Sequence, residues 1–140
     1  MSINRRYLPV ALISTVFQSL LYLPAYAADM CDAPQTTADM IECAAKDFDA
    51  ADIRLNHAYK RAMSALELEG KFLDAVDRDK GANALKNAQR AWITVRDSTC
   101  DAEAFTVYGG SLYPILRISC LTSITQERAT RLEHIAEQGN

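Results

Sequence analysis

Basic residues are not in excess in this 140-residue sequence: 15 Lys and Arg stand against 18 Asp and Glu. Phosphate recognition needs a basic surface, so nucleic-acid binding is excluded as a function class. No two of the four cysteines stand two to four residues apart, which excludes the usual structural zinc spacing. No stretch reaches the roughly 20 uninterrupted apolar residues that a membrane span requires. No segment alternates with period two long enough to form a strand, and there is no internal repeat or low-complexity tract. Cofactor motifs and an activated nucleophile are also missing, so no cofactor, metal or catalytic residue is expected.

What is present begins with an export signal. Arg5 and Arg6 precede an apolar stretch from Leu8 to Pro24, broken only by Ser14, Thr15, Gln18 and Ser19. Ala25-Tyr26-Ala27 then supplies the small-x-small pattern of a cleavage site. The cut is expected after Ala27. Cys31 follows Ala28-Asp29-Met30, which is not the context of a lipid-modified cysteine. The remainder, residues 28–140, fits one domain with a modest core. All 18 acidic residues but only 13 of the 15 basic ones lie beyond the cut, a net charge of −5. Such a surface steers cationic partners toward it. A periplasmic or secreted location without a membrane span is expected.

Helical periodicity organises that domain. Thr36-Thr37-Ala38-Asp39 has the spacing of a capping box. Ile41, Ala44, Phe48, Ala51, Leu55, Tyr59, Ala62 and Leu66 then recur at gaps of three and four as far as Gly70. Lys71 to Asn83 reads as a charged connector. Leu85, Ala88, Trp92, Val95 and Thr99 mark a second helix that ends near Tyr108. Gly109-Gly110 breaks it, Ser111 is placed to cap a third helix, and Ile118, Leu121, Thr125, Leu132 and Ile135 carry that helix towards the C-terminus. The expected fold is all-α: an antiparallel three-helix, up-down-up bundle.

Four cysteines in an exported chain imply two disulfides. Cys100 and Cys120 lie about two turns either side of the glycine break and face each other across the hairpin. Cys31 and Cys43 then close the lead-in onto the first helix. A Cys43–Cys100 link stays geometrically open, since both lie near one end of the bundle.

Polar residues also share the inward faces. Asp52, Leu55, Asn56 and Tyr59 share one helical face, as do Gln89, Trp92, Arg96 and Cys100 on the second helix and Thr125, Arg128 and Leu132 on the third. Carboxylate, guanidinium, amide and phenol so placed form either a catalytic site or a mutually satisfied polar layer that fixes register. The second reading is preferred for want of a nucleophile, with Arg96 and Arg128 expected to pair with a buried carboxylate. His57 is five residues from Asp52 and diverges from it around the helix, and His134 is near the C-terminus; neither is assigned catalysis.

The ordered set Cys31, Cys43, Asp52-x-x-Leu55-Asn56-x-x-Tyr59, Gln89-x-x-Trp92-x-x-x-Arg96-Asp97-x-x-Cys100, Gly109-Gly110-Ser111, Cys120 and Thr125-x-x-Arg128-x-x-x-Leu132 resembles the lysozyme inhibitor LprI family. The resemblance implies an exported helical domain and inhibition of lysozyme-type muramidases by protein–protein occlusion. Its partner would be a cationic lysozyme whose open cleft holds two carboxylates. The chain is expected to depart from the lipoprotein member that named the family, with no lipid-attachment cysteine and no second domain. A non-inhibitory binding protein of the cell envelope is the alternative. Tyr108, Gly109, Gly110, Ser111 and Tyr113 are the expected partner-binding loop: glycines let the backbone approach closely and tyrosines are favoured anchors. The competing role of that segment is to turn the chain and cap a helix.

Overall fold

The computed structural model describes residues 30–139, so the expected export signal at residues 1–27 and the expected cleavage site lie outside the described residues. Three long helices succeed a short 3-10 turn at Met30–Asp32: α1 (Thr37–Gly70), α2 (Lys80–Ala104) and α3 (Tyr113–Gln138), with a second 3-10 turn at Phe105–Val107. No strand occurs among the described residues, and none of their helices is long and apolar enough to cross a membrane.

The start of α1 is fixed by the expected capping box. The Thr36 hydroxyl accepts from the Asp39 backbone N–H at 3.1 Å, and the Asp39 carboxylate accepts from the Thr36 N–H at 2.9 Å. At 34 residues, α1 spans about 50 Å. It ends at Gly70 because the chain turns back there against the helix: a Cβ on Gly70 would collide with the Arg78 carbonyl oxygen.

The core is thin and built largely from alanine. Leu55, Ala58 and Ala62 of α1 meet Ala129, Leu132 and Ala136 of α3, with Leu85 as the contribution of α2. Small side chains let α1 and α3 run close together in parallel, and theirs is the most extensive helix contact. The Arg54 guanidinium adds a fork to the Glu133 carboxylate across the same seam, with Nε–Oε1 at 2.9 Å. Helix α2 runs antiparallel to both, packs chiefly on α3, and touches α1 least.

Both expected disulfides form, Cys31–Cys43 with Cα atoms 5.4 Å apart and Cys100–Cys120 at 5.5 Å. They leave no free cysteine among the described residues, so a Cys43–Cys100 link does not occur. The loops they close span 12 and 20 residues, each worth roughly 3 kcal/mol in the chain-entropy view. For so slight a core that is a large share of stability.

Three details differ from the expectations above. Helix α2 begins at Lys80, inside the segment read as a connector; Gly81 in its first turn passes close to Leu66, where a Cβ would lie 3.3 Å from a methyl. Val95 and Ala88, read as part of the apolar stripe, face solvent; the inward face of α2 is Leu85 with the expected Gln89, Trp92, Arg96 and Cys100. Ser111 caps nothing: the N-cap of α3 is Leu112, which makes no side-chain cap, with Pro114 in the first turn.

Candidate functional site

Parallel α1 and α3 with antiparallel α2 bring the lead-in, about the first four turns of α1, the end of α2 and the start of α3 to one end of the bundle. Residues 30–50 and 96–123 hold eight acidic and three basic side chains. All three bases are already paired: Lys46 with Glu42 at 3.2 Å, Arg96 with Asp97 at 2.8 Å and Arg117 with Asp101 at 2.5 Å. Asp32, Asp47, Asp49 and Glu103 have no cationic partner among the described residues. The rest of the described chain is close to neutral, so the acidity of the protein is concentrated at this end.

The expected loop stands on that end. Tyr108 N–H donates to the Phe105 carbonyl, Gly110 N–H to Val107 and Tyr113 N–H to Gly110, three short bonds that fold residues 105–113 into consecutive turns. Gly109 has φ +79°, the left-handed region that glycine enters without penalty. Gly110 is needed for space, since a Cβ there would meet the Val107 oxygen at 3.2 Å. The turn presents an aromatic cluster. The Tyr108 ring stacks on Phe105 and meets Tyr113 edge-on, both at 5.4 Å between centroids. Phe105 and Tyr108 are about two-thirds exposed, and Leu112 and Leu116 are exposed beside them. Phe105 carries no signal of its own in the sequence; only its stacking on Tyr108 brings it into view. The Cys100–Cys120 bridge ties the two helices beneath.

Two of the three polar faces, those of α1 and α2, line a cleft of about 390 Å³ between these helices, and the face of α3 meets them from behind through Thr125 and Arg128. Asp52, Asn56 and Tyr59 form one wall and Lys86, Gln89, Arg90, Ile93 and Arg96 the other, with Leu55 and Trp92 between them. The layer is therefore half open to solvent. Asp52 does not meet either arginine of the layer: its carboxylate accepts from the Asn56 amide one turn on, at 2.8 Å. Arg96 pairs with its neighbour Asp97, reaches Thr125 at 3.4 Å, and lies over the rings of Trp92 and Phe48 at 4.9 and 5.6 Å. Arg128 donates from Nε to the Gln89 carbonyl at 2.9 Å and lies 5.8 Å from the Trp92 centroid. Its Nη2 is buried without a hydrogen-bond partner, and burial, reinforced by nearby Arg131, lowers its pKa from the ordinary arginine value. The buried carboxylate expected opposite Arg96 and Arg128 is thus replaced by an exposed neighbour for one and an amide for the other. No group of three or more metal-ligating side chains occurs among the described residues.

A family model described as lysozyme inhibitor LprI matches residues 29–132, a span that includes both disulfides, the cleft and the aromatic turn. The chain is also 40% identical over 101 residues to an uncharacterized protein of Rhizobium meliloti (strain 1021), an alignment covering 71% of this chain and 73% of that protein. No solved structure matches the chain.

Proposed function

Because the chain belongs to the lysozyme inhibitor LprI family, we propose that it is an exported, non-enzymatic inhibitor of lysozyme-type peptidoglycan muramidases, acting by occlusion of the muramidase cleft with the turn at residues 105–113. The observation that carries this reading is the coincidence, at one end of the bundle, of unpaired acidic side chains with an exposed aromatic turn. Each part has a separate task. Long-range attraction between the acidic end and a cationic muramidase raises the rate of encounter, and burial of aromatic anchors sets the rate of departure. The hydrogen-bonded turn above the Cys100–Cys120 bridge holds those anchors before contact, which limits the ordering cost of binding. Two disulfides suit an oxidising compartment, periplasmic or extracellular.

A binding experiment tests the mode of action. Immobilised lysozyme should capture the exported protein at low salt, and a chitooligosaccharide that fills the muramidase cleft should compete. Capture that is indifferent to the saccharide would place the contact outside the cleft. The alternative function, a non-inhibitory binding protein of the envelope, draws its support from the α1–α2 cleft, and it would stand if no lysozyme type were bound.

A further inference from the structure

We propose that the cleft between α1 and α2 is a binding site for a small carboxylate-bearing ligand. The inference rests on no part of the inhibitor reading, since the cleft and the aromatic turn are separate surfaces.

Shape comes first. Helix α2 leans on α3 and leaves α1 largely uncovered along this side, which opens a hollow of about 390 Å³. Small-molecule sites begin at roughly 300 Å³. Trp92 and Leu55 supply apolar surface, and Tyr59, Asn56 and Gln89 supply polar groups around it.

Charge decides the ligand class. The protein as a whole is acidic, yet Lys86 and Arg90, beside Arg96 whose charge Asp97 partners, line this cleft against the single carboxylate of Asp52, which is engaged by Asn56. Lys86 and Arg90 have no anionic partner among the described residues. Behind Trp92 sits Arg128, a cation whose only hydrogen-bond partner is a neutral amide and whose Nη2 is buried and unbonded. A half-buried cation without a counter-ion bears part of the desolvation cost of a buried one. An anion in the cleft would offset that cost through space while pairing directly with Lys86 and Arg90.

The carboxylate has two available sources, a cell-wall muropeptide or a free dicarboxylate. Trp92 is the sole tryptophan of the chain, so its emission reports on this cleft alone. The exported protein would be titrated with muramyl dipeptide, with succinate and with neutral chitotriose. The Lys86→Ala/Arg90→Ala variant, altered only at exposed side chains, serves as the control. A saturable change in Trp92 emission with one or both carboxylate ligands, weakened at least about tenfold in the variant and absent with chitotriose, is expected; whichever of the two binds more tightly identifies the source. No saturable change with either carboxylate, an equal response to chitotriose, or a response unaltered in the variant would each overturn the proposal.

Discussion

Tyr108→Ala separates anchoring from folding more cleanly than any other single change. In the free protein the residue is 70% exposed, and its ring stacks on Phe105 and meets Tyr113 edge-on. Each aromatic pair is worth about 0.5 kcal/mol at the exposed end of its range, so truncation should cost about 1 kcal/mol in stability. In a domain of this size that moves the melting temperature by only a few degrees. The backbone of the turn is unaffected, because its hydrogen bonds and the positive φ belong to Gly109, Gly110 and their neighbours. In the proposed complex the same ring would be enclosed, and a central aromatic of this kind contributes about 2 kcal/mol, or roughly thirtyfold in affinity. The loss should appear as faster dissociation with association nearly unchanged. Surface plasmon resonance against a cationic lysozyme, beside a thermal melt, reads both quantities. Unchanged dissociation with an intact fold would refute Tyr108 as an anchor, and a large fall in melting temperature would show the ring to be structural.

Further consequences concern the disulfides, the arginine layer and the α1–α3 seam. Replacing Cys100 and Cys120 together by Ser should lower unfolding free energy by roughly 3 kcal/mol and also weaken lysozyme binding. Removing Cys31–Cys43 should cost similar stability in chemical denaturation and leave affinity nearly intact. Arg128→Met should be neutral or stabilising in a thermal melt, since it removes a desolvated cation that has no carboxylate partner; a loss of roughly 3–5 kcal/mol would mean that the arginine has an anionic partner after all. The hydrogen bond from Arg54 holds the Glu133 carboxyl below its ordinary pKa. Its contribution is therefore complete above the unfolded value of about 4.3 and is lost as pH falls through the lower folded value. Glu133→Gln should flatten the fall in melting temperature over that acid window, modestly because the pair is exposed, and parallel curves for the two proteins would show that the bond does not stabilise the fold.

Much of this fold is readable in the amino acids, and the failures have physical causes. The Thr36–Asp39 box marks the start of α1 because its signal is local. The Cys100–Cys120 pairing comes from helical rise alone. Helix α2 is harder, since Leu85-Ala88-Trp92-Val95 and Leu85-Gln89-Trp92-Arg96 both step by three and four. The apolar stripe is the tempting one, but Val95 faces water while the guanidinium of Arg96 lies over aromatic rings. Polar side chains are turned inward there because α1 and α2 do not close on each other, and that gap depends on alanine-mediated contact between α1 and α3 rather than on α2. The aromatic turn is visible through Gly109-Gly110 and its tyrosines. Its acidic surroundings are less so, because Asp32, Asp47 and Asp49 are distant from it in sequence and come to the same end of the bundle only through the parallel packing of α1 and α3.

Inhibition itself is tested most directly by a lytic assay. Purified residues 28–140 would be mixed with chicken-type, invertebrate-type and goose-type lysozymes at low salt, and the clearing of a cell-wall suspension recorded over time. Saturable slowing of lysis by at least one type is predicted, reaching completion near equal molar amounts and relieved as salt is raised. Undiminished lysis by all three, with the protein folded and both disulfides intact, would contradict it.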